Sequence, residues 1–597
     1  MIKVPGLSSG PSLPTTNRLS GSSGMTIPRP LIRVAIGAAL VLLVVFVWST
    51  KRLDTSRWDA STTLERNPNV PSWRDHPGPY NPGMGVDTPA KYYAYNKHDR
   101  PRQPDTDRAK EVDKRSNPFH PGKSRKLVEG TTDQYTEGPL PSLNEAFDFL
   151  VPLLNQIKED VPAVPREHNM GSTIFAPYLN DELKARYAHL GGEWDVNTRT
   201  WVQGGEKRYL FVTVCRQVAG MLPDWFAAWT VVADFLGPES LVFSLHEGDS
   251  DDGSGELLAR AMKKHLLYIG VPPENIFVRT HLPKVEWEKH HRIEKLAELR
   301  NDAMEPIFKS KTPELAPDGK PWSAIVFYND VYLGASHYLE LLHQHFAQDA
   351  DMTCGWDHAG KWFYDGWVGR DMSGDLYTPF PVPEEEQKKD QKVSTAERRA
   401  QRGARRPRPS FRNPANPQLF VSHGPTRERH VRLLPYQVFA GWNGMVVMNP
   451  TPFMPPYDVR FRRATPRAPG QAEGTEECQA SESAFISWDF WSYGFGRIQT
   501  VPGVHLTYGK DDARLRGFVE YPVPDREHSE TIDWDENPPS RVRCHDWPDK
   551  LGKGYWAWDS TRWVAPPKYK IPEEGAGFSR HAGQKKDAVK DEEHTEQ

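Results

Sequence analysis

Three short apolar runs, each closed by polar residues, restrict this chain more than any other feature. "SLVFSLHEG" (Ser240 to Gly248), "NIFVRT" (Asn275 to Thr280) and "AIVFY" (Ala324 to Tyr328) have the length and the β-branched and aromatic content of buried strands. Between the first two lies "GSGELLARAMKKHLLYIG", where Leu257, Leu258, Ala261, Met262, His265, Leu266 and Ile269 recur at helical spacing and Gly270 offers a left-handed stop. Between the second and third, "WEKHHRIEKLAELRNDAMEPIF" predicts another amphipathic helix, with Ile293, Leu296, Leu299, Ala303 and Ile307 near one face. Strands alternating with helices of this length predict an α/β fold of Rossmann type, a mostly parallel sheet with helices on both faces. Ligands of such sheets sit beyond the C-terminal ends of the strands.

That is where the polar clusters fall. "HEGDSDDGSG" (His246 to Gly255) follows the first strand and sets Glu247, Asp249, Asp251 and Asp252 among turn-forming glycines. Carboxylates there can accept hydrogen bonds from a nucleoside's ribose hydroxyls or base edge; an acidic turn with Ser254 as helix N-cap accounts for the same pattern. No GxGxxG is present, so this is not a dinucleotide fingerprint. The third strand ends in Asn329 and Asp330. An amide beside a carboxylate at a strand end suits Mn²⁺ or Mg²⁺, which needs only one or two protein carboxylates when a diphosphate supplies the remaining oxygens. The alternative is an Asn-Asp turn. His343 and His345 stand two apart, so a helix points them in different directions, which does not suit zinc. No Gly-x-Ser-x-Gly elbow supports serine hydrolase chemistry.

Outside this core the chain reads as tails and linkers. Residues 1–30 are rich in Ser, Gly and Pro and read as a disordered tail. Residues 31–50 contain "VAIGAALVLLVVFVWST", an uncharged run extended by Leu31 and Ile32 around Arg33, and no small-x-small cleavage site follows, because Lys51 and Arg52 come next. This predicts an uncleaved transmembrane signal anchor. Lys and Arg flank both sides, so charge counting leaves its orientation open. Residues 51–141 read as a Pro-rich stem, 142–570 as the folded domain with a charged insertion at 382–417, and 571–597 as a second disordered tail. A formal net charge of −4 provides no basic footprint, so no nucleic-acid partner is expected. Cys215, Cys354, Cys478 and Cys544 form no CxxC pair; three pairings can be drawn, and four free thiols serve equally well.

From about Arg208 to Tyr508 the sequence resembles the cryptococcal α-1,3-mannosyltransferase family, the fungal capsule-associated glycosyltransferases. "AIVFYNDVYL", "LELLH" and "DADMTCGWDH" match its strand ending in Asn-Asp-Val, its Leu-rich helix and its Cys-Gly-x-Asp element. "VFSLHEGDSDDGS" matches its Glu-x-x-Ser-x-Asp-Gly element through Glu247, Ser250, Asp252 and Gly253, and "LAELRNDAMEP" its Arg-Asn element through Arg300 and Asn301. "FAGWNGMVVMNPTPF" and "ASESAFISWDFW" match its Trp-Asn-Gly and Ser-Glu blocks. The departures are His246, the 382–417 insertion, and Ala440 where a cysteine usually stands two residues before Trp442.

The resemblance implies a GT-A-like domain in the Golgi lumen on a single-pass type II membrane protein, with GDP-mannose as donor and Mn²⁺ or Mg²⁺ as cofactor. It implies transfer of mannose to an acceptor-glycan hydroxyl with retention, with other glycosyltransferases as partners. Asp330 and Asn329 are then the metal residues. Glu247, Ser250, Asp252, Arg300 and Asn301 bind the donor, with Arg300 offering donors to its phosphates. Asp357 and Glu482 face the acceptor hydroxyl or the developing oxocarbenium, and Trp442 and Asn443 contact the acceptor sugar, although Trp442 also reads as core. Two alternatives stand beside this reading: the same fold using another nucleotide sugar, such as UDP-galactose, and a catalytically silent, membrane-tethered scaffold for polysaccharide assembly.

Overall fold

The three apolar runs become strands of one sheet, and a fourth run, "YLFVTVC", joins them at its centre. The computed structural model describes residues 135–166, 168–195, 200–203, 207–359, 362–377, 419–466, 476–522, 528–546 and 561–570, with two short strands ahead of them, Tyr93–Ala94 and Lys123–Leu127. The central sheet contains β1 (Tyr209–Cys215), β2 (Leu241–Glu247), β3 (Ile276–Arg279), β4 (Ala324–Tyr328), β5 (Met352–Ala359), β6 (Trp362–Phe363), β7 (Tyr436–Gln437), β8 (Met445–Met448) and β9 (Ile498–Thr507). Their order is β7-β9-β5-β8-β4-β1-β2-β3, with β6 paired to β5. β3, β2, β1 and β4 run parallel, as do β5 and β9; β8 lies antiparallel between β4 and β5. One edge therefore collects the C-terminal ends of β1, β2, β4, β5 and β9 together with the start of β8.

The helices are α1 (Leu143–Asp160), α2 (Asp181–Gly191), α3 (Leu222–Leu236) and α4, which runs through Ser254–Leu257, a π turn at Leu258–Met262 and Lys263–Tyr268. They continue with α5 (Arg292–Ala303), α6 (Ala335–Ala347) and α7 (Glu482–Ser492). The start of α1 is fixed by a capping box: Ser142 Oγ accepts the Glu145 N–H while the Glu145 carboxylate accepts the Ser142 N–H.

Alternation along the strands sorts side chains to two cores. Phe211, Phe243 and Val326 meet Leu150 of α1, Trp225 and Trp229 of α3, Leu258 of α4 and Tyr338 of α6. Leu210, Val242, Ile325 and Phe327 meet Ala297 and Ala303 of α5 and Phe485 and Trp491 of α7. Helices thus cover both faces, as the alternating pattern predicts. α3 is buried nearly all round, so it lies inside the packing rather than on it. On α5, Ile293 and Ala297 are buried, whereas Leu296 and Leu299, expected on the apolar face, are only half-buried.

Within the span 51–141, Tyr93–Ala94 pairs with Ser172–Thr173, and Lys123–Leu127 pairs with Tyr135–Pro139. The tail 1–30, the anchor 31–50, the insertion 382–417 and the tail 571–597 lie outside the described residues. Among the described residues no helix is long and apolar enough to cross a membrane. Cys478 and Cys544 form a disulfide, while Cys215 and Cys354 are buried thiols.

Candidate active site

Register brings the predicted carboxylates together. Cys215 at the end of β1 pairs with Glu247 at the end of β2, and Thr213 pairs with Tyr328, two residues before Asp330. Glu247, Asp330 and Asp252 all act electrostatically on the Cys215 thiol; burial first, and then these acids, hold it well above the usual thiol range. Glu247 is fully buried: Oε2 accepts the His281 N–H at 2.9 Å, while Oε1 has no hydrogen-bond partner. Among the described residues the only other buried carboxylate oxygen in that condition is Asp371 Oδ2.

Asp330 is held on a pinned turn. Asn329 N–H donates to Gly444 O at 2.8 Å, Trp225 Nε1–H donates to Val331 O at 2.8 Å, and Tyr332 N–H donates to Thr507 O at 2.9 Å. Asp330 is buried at 4 % exposure. The acidic loop after β2 is laced to the loop after β1. Gln217 N–H donates to Ser250 Oγ, Val218 N–H to Ser254 Oγ, and Ala219 N–H to Asp252 Oδ2. Asp252 Oδ1 also accepts the Ser254 N–H, and Gly253 rather than Ser254 takes the N-cap position, with φ 82° and Val164 Cγ2 standing 2.4 Å from where a Cβ would lie.

A second acidic group lies across the turn that opens β8. Asn443 (φ 55°) and Gly444 (φ 82°) are successive left-handed residues. Asn443 N–H donates to Asp365 Oδ2 at 3.0 Å, and its amide donates to Gly355 O at 2.8 Å. Asp357, fully buried on β5, accepts the Tyr508 hydroxyl at 2.8 Å and the Asp365 N–H at 3.2 Å. Burial, and then the neighbouring Asp365, hold Asp357 well above the usual carboxylate range; burial pushes Asp365 up to about 6. Arg300 and Glu482 complete the group, both acting on Asp365. Their ion pair is 3.0 Å long, and the guanidinium lies 4.3 Å over Trp442 and 5.2 Å over Phe327.

The sequence-predicted residues therefore divide by location. Asp330, Glu247, Ser250 and Asp252 share the corner at β1, β2 and β4. Asn329 belongs to the same turn, with Oδ1 accepting the Trp442 indole N–H at 3.2 Å. Asn301 clamps a backbone segment instead, its amide donating to Phe461 O and accepting the Phe461 N–H. Trp442 and Asn443 are buried at 2 % and 0 % and form the floor of the site. Glu482 is buried, receives both Ser481 and Ser483 hydroxyls, and engages Arg300 Nε, while Arg300 Nη1 has no hydrogen-bond partner. Asp365 and Tyr508 went unread in the sequence. The signal available was a carboxylate amid aromatics in "WFYDGW", directly after the strand that carries Asp357. Among the described residues, the grouping of three metal-ligating side chains is Cys478, Cys544 and Asp546, where the disulfide removes both thiolates.

This edge lies almost wholly within a stretch shared with known proteins. A family model described as cryptococcal mannosyltransferase 1 matches residues 208–489, from just before β1 into α7. The alpha-1,3-mannosyltransferase CMT1 of Cryptococcus neoformans var. neoformans serotype D is 35% identical over 374 residues, covering 60% of this chain and 72% of that protein. A match of that depth across a sheet whose strand ends gather acids makes the chain a member of the cryptococcal mannosyltransferase family, and a glycosyltransferase acting between a sugar donor and an acceptor.

Proposed function

We propose that the chain transfers mannose from GDP-mannose to a hydroxyl of an acceptor glycan, forming an α-1,3 linkage with retention, on a GT-A-like fold. The observation that carries this reading is the corner at the ends of β1, β2 and β4. There a pinned, buried Asp330 stands near Glu247, whose Oε1 is buried without a partner. This donor set suits a hard divalent cation, Mn²⁺ or Mg²⁺: the carboxylates offer oxygen, and the Cys215 thiol, held protonated, does not compete as a soft ligand. Asp330 would hold the ion, with Asn329 seating the turn. Such an ion supplies Lewis-acid stabilisation for the departing diphosphate.

The remaining contributions come from the chain itself. Glu247 Oε1 accepts from a nucleoside hydroxyl, while Ser250 and Asp252 hold the loop beside it in place. Arg300 Nη1, a buried donor without a partner, adds positive charge toward the phosphates. The relative's printed name supports mannose and the α-1,3 linkage. Placement in the Golgi lumen behind a 31–50 anchor is supported by the uncharged run Val34 to Thr50 and by the Cys478–Cys544 disulfide, which belongs in an oxidising compartment. Calorimetry of GDP, UDP, GDP-mannose and UDP-galactose, each with and without Mn²⁺, tests the reading. Guanine-selective, manganese-dependent binding is expected; equal uridine binding, or binding indifferent to the ion, would overturn it.

A further inference from the structure

A two-stranded hairpin, β10 (Val542–His545) with β11 (Thr561–Val564), stands outside the central sheet, yet β10 reaches the second acidic group by two routes. In a strand the N–H and C=O of one residue share an edge with those of the residue two further on. On β10 that edge belongs to Arg543 and His545. Arg543 N–H donates to Gly374 O at 2.7 Å, Arg543 O accepts from Arg370 Nε at 2.6 Å, and His545 O accepts the Trp367 indole N–H at 2.8 Å. Arg370 is buried; its Nη1 donates to Trp367 O and Gly369 O, and its backbone exchanges both hydrogen bonds with Ala440. These residues close the turn that begins at Asp365, whose carbonyl accepts the Val368 and Gly369 N–H groups at 3.2 Å each. The second route leaves β10 at Cys544, through the disulfide to Cys478, and is reinforced by Asp546 Oδ1, which accepts the Gln479 N–H at 2.7 Å. Two residues beyond Gln479, Ser481 caps α7, and Glu482 is the first residue of that helix.

Both routes end on a carboxylate that acts on Arg300, Glu482 through the 3.0 Å ion pair and Asp365 through space. We propose that β10 is a positioning brace for Arg300, seating Glu482 through Cys478 and Asp365 through Trp367 and Arg370, so that the guanidinium faces the departing diphosphate of the sugar donor. Stacking over Trp442 sets the plane of the guanidinium but leaves it free to slide within that plane; two anions on separate anchors fix where its charge sits. A charge placed in advance where negative charge develops lowers the barrier without reorganising during the reaction. Trp367, Arg370 and Cys478 thus act through other residues and touch no substrate. The cation corner is held from β1, β2 and β4 and the loops that follow β1 and β2, so loss of the brace leaves it in place. The inference rests on the reading of Arg300 as a group that faces the phosphates and names what holds it there.

Two variants cut one route each: Trp367→Phe keeps an aromatic ring and removes the indole donor, and Cys478→Ser with Cys544→Ser removes the disulfide. Hydrogen exchange read by mass spectrometry, on the full chain in detergent, tests the brace without needing turnover. Because β10 is common to both routes, each variant should speed exchange roughly tenfold in the route it does not touch. Trp367→Phe should do so in residues 478–486 and the serine pair in residues 365–371, with β1 unchanged. In transfer assays from GDP-mannose with manganese, Trp367→Phe should lower kcat roughly tenfold and leave the donor KM within about twofold. In an Arg300→Met background the same change should lower kcat no further, an outcome that a general loss of stability would not give. Faster exchange confined to the altered route, an unchanged kcat, or an equal kcat loss with and without Arg300 would overturn the brace. Absence of manganese-dependent GDP binding in wild type strikes the donor reading instead, and the exchange result still decides whether β10 couples the two routes.

Discussion

Arg300 and Glu482 give the sharpest energetic test, because Glu482 is buried, the Arg300 side chain is only 12 % exposed, and each depends on the other. Their 3.0 Å contact corresponds to about 5 kcal/mol of attraction at an effective dielectric near 20. Most of that offsets the desolvation of two charges, so the pair is worth little relative to an apolar pair, while removing one partner strands the other. Glu482→Gln leaves a guanidinium over Trp442 and Phe327 without its hydrogen-bonded partner, Asp365 being the carboxylate that still acts on it, and should cost about 3 kcal/mol. Arg300→Met strands a carboxylate that keeps only the Ser481 and Ser483 hydroxyls, and should cost about the same. The double variant removes both charges together and should be no worse than either single one, a coupling of about 3 kcal/mol. For a fold this large, about 1 kcal/mol moves Tm by roughly 1 °C. Differential scanning fluorimetry should therefore show falls of about 3 °C for each single variant and about 3 °C for the double. An additive fall of about 6 °C would show that the two groups do not sense each other and would refute the reasoning.

Three further outcomes follow from the same geometry. Asp330→Ala removes one acid from a crowded acidic corner, so Tm should hold or rise while manganese-dependent GDP binding is lost; unchanged affinity by calorimetry would remove Asp330 from the cation site. Asp365 titrates near 6 in the folded chain against an ordinary 3.8, so the folded state binds its proton more tightly and its ionisation opposes folding at pH values above about 6. Asp365→Asn should therefore raise Tm more at pH 8 than at pH 4.5, and an equal gain at both values would contradict the assignment. The Cys478–Cys544 bridge closes a separation of 66 residues, worth about 4 kcal/mol in loop entropy. Reduction, or Cys478→Ser with Cys544→Ser, should lower Tm by several degrees, and an unchanged melting curve would argue against the pairing.

Legibility in the sequence followed burial. β2, β3 and β4 were readable because each is a continuous apolar run bounded by polar turns, and the ends of β2 and β4 announced Glu247 and Asp330. The central strand β1 has an equally apolar sequence, but the helix after it, "LPDWFAAWTVVADFL", is apolar on every side and shows no stripe from which to read a βαβ unit. Asp365 was hidden for another reason. Alone in a turn it is one more surface acid, and only the β5–β6 hairpin folds it back on Asp357. Side-chain direction was the remaining blind spot. Trp442 and Asn443 sit in a Trp-Asn-Gly turn that suggests exposure, yet the left-handed backbone at Asn443 turns the amide inward to Gly355 O.

That pair of left-handed residues has a bearing on how this scaffold can be altered. Gly444 O receives the amide of Asn329 on one flank, and Asn443 N–H orients Asp365 on the other. A Cβ at Gly444 would stand 3.3 Å from Asp357 Cβ and 3.4 Å from Val331 Cγ1, so even a methyl group there presses on both flanks together. A substitution at this hinge therefore shifts the Asp330 turn and the Asp365 carboxylate together, and variation that leaves the two acidic groups in place must come from the loops the hinge holds.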